Sequence, residues 1–130
     1  MTDLQIPVSP GELLDKITIL RIKSLRIHDA AKVANVRLEL ELLERTWATL
    51  GAATQQLTTD AQALQAVNER LWDIEDRIRN KEAAGNFDQD FIDLARAVYH
   101  QNDERAAIKK RVNMALGSRI VEEKSYQPYR

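Results

Sequence analysis

The chain has 130 residues, enough for one domain (1–130) with a real hydrophobic core. Its composition, 44% apolar and 30% charged, argues against disorder, and a net charge of −1 from 19 basic and 20 acidic residues argues against nucleic acid as a partner. With no cysteine, disulfides, thiolate metal sites and cysteine nucleophiles are excluded. No apolar run approaches the roughly 20 residues that span a bilayer. The first eight residues, M-T-D-L-Q-I-P-V, lack the basic start and apolar centre of a signal peptide. The expectation is a cytoplasmic protein with no membrane contact.

Residues 8–20, V-S-P-G-E-L-L-D-K-I-T-I-L, spell a helix start. Ser9 suits the N-cap, Pro10 the first helical position, and Glu12 completes a capping box with Ser9. Val8 and Leu13 are spaced for a hydrophobic staple. Gly51, Gly85 and Gly117 each follow a long stretch free of glycine and proline, so each reads as the residue just past a helix end. Four helices follow, at about 10–27, 30–50, 61–84 and 89–116. Asp29 is the expected N-cap of the second, and Thr59 or Asp60 of the third, where Thr59 and Gln62 fit a capping box. Residues 51–60 read as the longest internal loop.

The second helix carries Val33, Val36, Leu40, Leu43, Trp47 and Leu50 at alternating steps of three and four. The third carries Leu64, Val67, Leu71, Ile74 and Ile78 at the same steps. Such spacing keeps each set on one helical face and predicts bundle packing. The first helix is apolar over most of its circumference, which predicts a central position or one shared between subunits. The fold expected is an all-α, four-helix bundle-like domain. Helices three and four form a long antiparallel hairpin around helix one. Leu4, Ile6 and Val8, with Ile120 and Val121, mark short extended arms at the two ends, and the two arms are candidates to pair with each other.

The fourth helix holds the most informative pattern. Phe91, Leu94, Val98, Val112 and Leu116 define an apolar face, and Asn102, Arg105 and Lys109 interrupt that same face for two turns. Charges there need partners. Glu75 flanks the stripe of helix three and Glu82 lies close to its extension, and helix one offers Asp15 with Glu12, Lys16 and Lys23 along a narrow polar strip. Two readings follow. In one, these residues form ion pairs that fix helix register. In the other, Asp15, Lys16, Lys23, Glu75, Asn102, Arg105 and Lys109 line a pocket for a small anionic ligand. The backbone N–H groups of Gly11 and Glu12 are a further place for an anion, although Ser9 and Glu12 suit an internal cap better.

Other patterns carry less. Glu41-x-x-Glu44 and Asp73-x-x-Asp76 are similar to the paired acidic motifs with which all-helical nucleotide pyrophosphohydrolases hold magnesium. The second pair begins with Asp instead of Glu, and its faces do not converge with the first. Arg21, Lys23 and Arg26 are similar to the basic residues of chorismate-mutase-like enzymes, without an ordered motif. His28 and His100 are not at metal-ligand spacing. No metal or cofactor is expected.

Four segments resemble a bacterial family of domains of unknown function. They are S-P-G-E-L-L-D-K-I-T-I-L-x-I-K (Ser9 to Lys23), L-W-D-I-E-D-x-I-R (Leu71 to Arg79), N-D-E-R-A-A-I-K (Asn102 to Lys109) and E-E-K-S-Y (Glu122 to Tyr126). The resemblance spans most of the chain in matching order. It implies a bacterial source and a stand-alone small protein, and it implies no activity. The residues it marks include Asp15, Lys16, Lys23, Glu75, Asn102, Arg105 and Lys109, the set already drawn from helix geometry, together with Tyr126. The leading expectation is a non-catalytic small-ligand-binding or assembly module, homodimeric, with a polar cluster between helices. The alternative is a small helical enzyme acting on a phosphorylated or carboxylated metabolite. There Arg105, Lys109 and Lys16 would hold the anion, with Glu75 or Asp15 as acid or base.

Overall fold

The computed structural model describes residues 2–130. Its helices are α1 (Pro10–Arg26), α2 (Ala30–Ala48), α3 (Thr58–Ala83) and α4 (Gln89–Ala115), and the described residues contain no strand. None of these helices is long and apolar enough to cross a membrane.

Local chemistry sets the boundaries. Ser9 caps α1 by accepting the Glu12 N–H at 3.2 Å, with Pro10 at the first position. Asp29 accepts from Lys32 N–H at the start of α2, and Asp88 from Phe91 N–H at the start of α4. Gly85 ends α3 in left-handed backbone, φ +65°. There the Asn86 N–H reaches the Lys81 carbonyl and the Gly85 N–H the Glu82 carbonyl, a Schellman turn. Gly117 ends α4 in the same way, with Ser118 bonded to Asn113 and Gly117 to Met114. The start of α3 differs from expectation. Residues 51–57 are a 3₁₀ segment, not a loop, and they run directly into α3 at Thr58. A capping side chain needs extended backbone before the helix, and Thr59 already lies in the first turn, so its capping box does not form.

Helix α1 is central and packs on each of the other three. It buries Leu13, Leu14, Ile17, Leu20 and Ile22 on several sides, which is why its sequence is apolar nearly all round. It runs antiparallel to α4, with Gly11 beside Asn113 and Asp15 beside Arg105. The largest core cluster joins Leu14, Leu57, Leu64, Val67, Ile108 and Val112, with Trp47 packed against it. Leu57 of the 3₁₀ segment is thus part of the core. Helix α2 lies on the outside, against α1, and none of its residues is fully buried. Its predicted stripe faces inward but stays half-buried, and Leu50 at its end is exposed.

The terminus of α1 lies near Asp73, to which Arg26 donates at 2.6 Å. Beyond that level α3 and α4 pack on each other alone, as a projecting hairpin tip where Lys81 pairs with Asp88 at 2.8 Å. The arms do not pair with each other. Leu4 and Ile6 stand in solvent, while the C-terminal arm turns back at Gly117 and lies along α4.

Helix α1 lies close against the α4 backbone at Gly11. A Cβ there would sit 2.5 Å from the Lys109 carbonyl oxygen and 2.8 Å from Asn113 Oδ1, both well inside contact distance. At Gly85 a Cβ would meet only open space, and the cost is backbone strain alone. In urea unfolding, Gly11→Ala should therefore lower stability by at least about 2 kcal/mol, and Gly85→Ala by about 1 kcal/mol. Equal losses would contradict this packing.

Candidate functional site

The polar interruption of the α4 face meets α1 at Asp15. This carboxylate is buried, with 1% of its surface exposed. A buried charge is tolerated only if its oxygens are filled, and here they are. Arg105 donates Nε to Oδ1 at 2.9 Å and a terminal nitrogen to Oδ2, a two-pronged pair. Asn68 of α3 donates to Oδ1 and to the Thr18 hydroxyl, each at 2.9 Å. Thr18 in turn donates to the Asp15 carbonyl at 2.8 Å. Three helices are therefore joined at one carboxylate.

One turn along α4 from Arg105, Lys109 is also buried. Its ammonium donates to Glu12 at 2.7 Å and to Glu122 of the C-terminal arm at 3.0 Å, with Asp15 3.9 Å away. Lys124 closes the chain of charges 3.2 Å from Glu122. The members balance, with three carboxylates and three cations. No buried side-chain nitrogen or oxygen among the described residues lacks a partner.

The titration behaviour follows from these contacts. The hydrogen bonds to Asp15 raise the Arg105 pKa against the opposing effect of burial. Burial pulls Lys109 down, but its bonds to Glu12 and Glu122 outweigh that and leave it raised above its ordinary 10.5. Lys109 and then Lys124 hold Glu122 below its ordinary 4.5.

Of the seven residues expected to converge, the structure places Asp15, Arg105 and Lys109 in one cluster. Glu75 and Asn102 join Arg105 on a different surface, a cleft of about 450 Å³ between α3 and α4 whose walls include Ile19, Leu71 and Trp72. Glu75 is half-exposed and pairs with Arg79 at 3.2 Å. The Asn102 carboxamide makes no hydrogen bond among the described residues. Lys16 is exposed and Lys23 half-buried, and neither belongs to the cluster. The Gly11 N–H donates to Asn113 Oδ1 at 2.7 Å, so the start of α1 is filled from within. Three of the four residues of the acidic pairs are engaged: Glu41 with Arg45, Glu44 with Arg21, Asp73 with Arg26.

Sequence reasoning missed Asn68, Thr18 and Asn113. A signal existed for Asn68, which stands four residues after Leu64 on the buried stripe of α3. Thr18 sits inside the apolar run of α1, where a small hydroxyl passes for core. Nothing in the spacing of Asn113 sets it apart.

The chain belongs to a family of unknown function, DUF6165, which matches residues 4–129. Nothing among curated proteins or solved structures matches it. It is thus an all-α bundle protein of unknown function, and its site has to be read from its own chemistry.

The Lys109 links make stability depend on pH at both extremes. A raised Lys109 stabilises the fold fully below 10.5, and that contribution is lost as pH rises through the folded value. A lowered Glu122 stabilises above 4.5 and is lost as pH falls through its folded value. Between these limits their contribution is flat. Lys109→Met should reduce the alkaline loss and flatten the acid limb in thermal melts across pH. An unchanged profile would contradict the assignment.

Proposed function

We propose that this protein is a non-catalytic binding module for a small anionic ligand, held in the α3–α4 cleft beside the Asp15 cluster. One observation carries the reading. The Arg105 guanidinium is clamped by Asp15 through two nitrogens, and the residue also borders the cleft that holds the unpartnered Asn102. A clamped guanidinium has lost its rotamer freedom before any ligand arrives, so a carboxylate or phosphate would bind with little ordering cost. Asn102 supplies a second donor and Trp72 an apolar wall.

The alternative, a small enzyme acting on an anionic metabolite, finds less support. Both Asp15 oxygens are occupied by Arg105 and Asn68, which leaves no place for a transferred proton. Lys109 is committed to Glu12 and Glu122, and Lys16 faces solvent.

Fluorescence of Trp72 in a Trp47→Phe background tests this reading, with phosphate, phosphate esters and mono- and dicarboxylates as probes. At least one anion should change the signal saturably below about 10 mM, and Asn102→Ala should weaken it about tenfold without altering stability. No saturable change with any probe, or an unaffected variant, overturns it.

A further inference from the structure

The C-terminal arm borders a second, half-open cavity. After Gly117 the chain returns along α4 and forms a half-open cleft of about 510 Å³ with Tyr99, Asn102 and Asp103, lined on the arm's side by Lys124, Tyr126 and Tyr129. All three tyrosines of the chain border this one space, although aromatic residues make up only 5% of the sequence. Tyr99 and Tyr129 stand edge to face, centroids 4.8 Å apart and planes at 67°. His100 packs on the same pair, its centroid 4.9 Å from that of Tyr99 and 5.0 Å from that of Tyr129, while Tyr126 stands apart with 79% of its surface exposed.

The chain's own cations already use the tyrosine rings. The Lys124 ammonium lies 5.6 Å from the Tyr126 centroid, and the Arg130 guanidinium 5.2 Å from that of Tyr129. Both distances fall within cation–π range. Asp103 adds a carboxylate. It accepts from the Tyr129 hydroxyl and has no Lys or Arg partner among the described residues. The charge of Lys124 is offset by Glu122, 3.2 Å away, so Lys124 can leave its ring without losing its counter-ion.

We infer that this cavity binds a small organic cation of the quaternary-ammonium class, through the three tyrosine rings and Asp103. The class follows from the walls. A primary ammonium brings N–H donors that rings cannot accept well and gives up a tight hydration shell. A methylated ammonium carries the same charge without donors and is weakly hydrated, so it gains more from aromatic faces. The cavity lies in the range of small-ligand sites. It is separate from the α3–α4 cleft, with Asn102 on the border of both.

The test is calorimetric titration of the full chain with choline and with its neutral isostere, 3,3-dimethylbutan-1-ol. The two share shape and differ in charge. Choline should bind saturably and at least about tenfold more tightly than the alcohol. Tyr126 is exposed and makes no hydrogen bond, so Tyr126→Leu should fold normally and weaken choline about tenfold. Asp103→Asn should weaken it as well. Equal binding of the neutral isostere, an unaffected Tyr126→Leu variant, or no saturable choline binding below about 50 mM overturns the inference.

Discussion

A carboxylate placed between three helices must be neutralised, and the rest of this bundle is arranged around doing so for Asp15. Removing such a group from water is expensive, and its neighbours offset the cost only when the geometry is good. Arg105 and Asn68 meet that condition, one from each helix of the α3–α4 hairpin. They can do so only at one register of α1 against the hairpin. A shift by one turn would leave Asp15 charged and alone, and apolar contacts by themselves tolerate such slips better. The close approach at Gly11 acts together with this pair: it lets α1 lie against the α4 backbone and brings Asn113 to the Gly11 N–H.

The same cluster shapes the surface beside it. Arg105 and Lys109 are committed to internal partners, yet Arg105 also borders the α3–α4 cleft. Lys109, through Glu122, fastens the C-terminal arm, and the arm in turn forms the wall of the tyrosine-lined cavity. A buried network fixed for register thus positions two clefts along one helix, the two for which ligands are proposed.

Much of this was legible in the sequence, for reasons that differ from part to part. The starts of α1, α2 and α4 carry Ser9, Asp29 and Asp88, whose caps act locally, so local sequence reveals them. The centrality of α1 was readable because a helix with no polar side has to be surrounded. Arg105 and Lys109 stood out because charges on an apolar face demand partners. What they pair with was less legible. Glu12 lies on the polar strip of α1 that offers partners to these charges, and besides its place in the cap region it accepts from Lys109 across 97 residues. Lys16 and Lys23 looked like neighbours of Asp15 because they share its helix, but the crossing of α1 over the hairpin turns only Asp15 inward. The 3₁₀ segment escaped notice since G-A-A-T-Q-Q-L has loop-like composition. Its one structural demand is the burial of Leu57, a tertiary contact.

The claim that the Asp15–Arg105 pair sets the register of the bundle is tested most directly by a double-mutant cycle. Asp15→Ala, Arg105→Ala and the double variant are unfolded in urea. Arg105→Ala strands a buried carboxylate and should cost about 3 kcal/mol or more. The double variant should cost far less than the sum of the singles, a coupling of about 2 kcal/mol. Additivity of the two losses within about 0.5 kcal/mol would contradict the account.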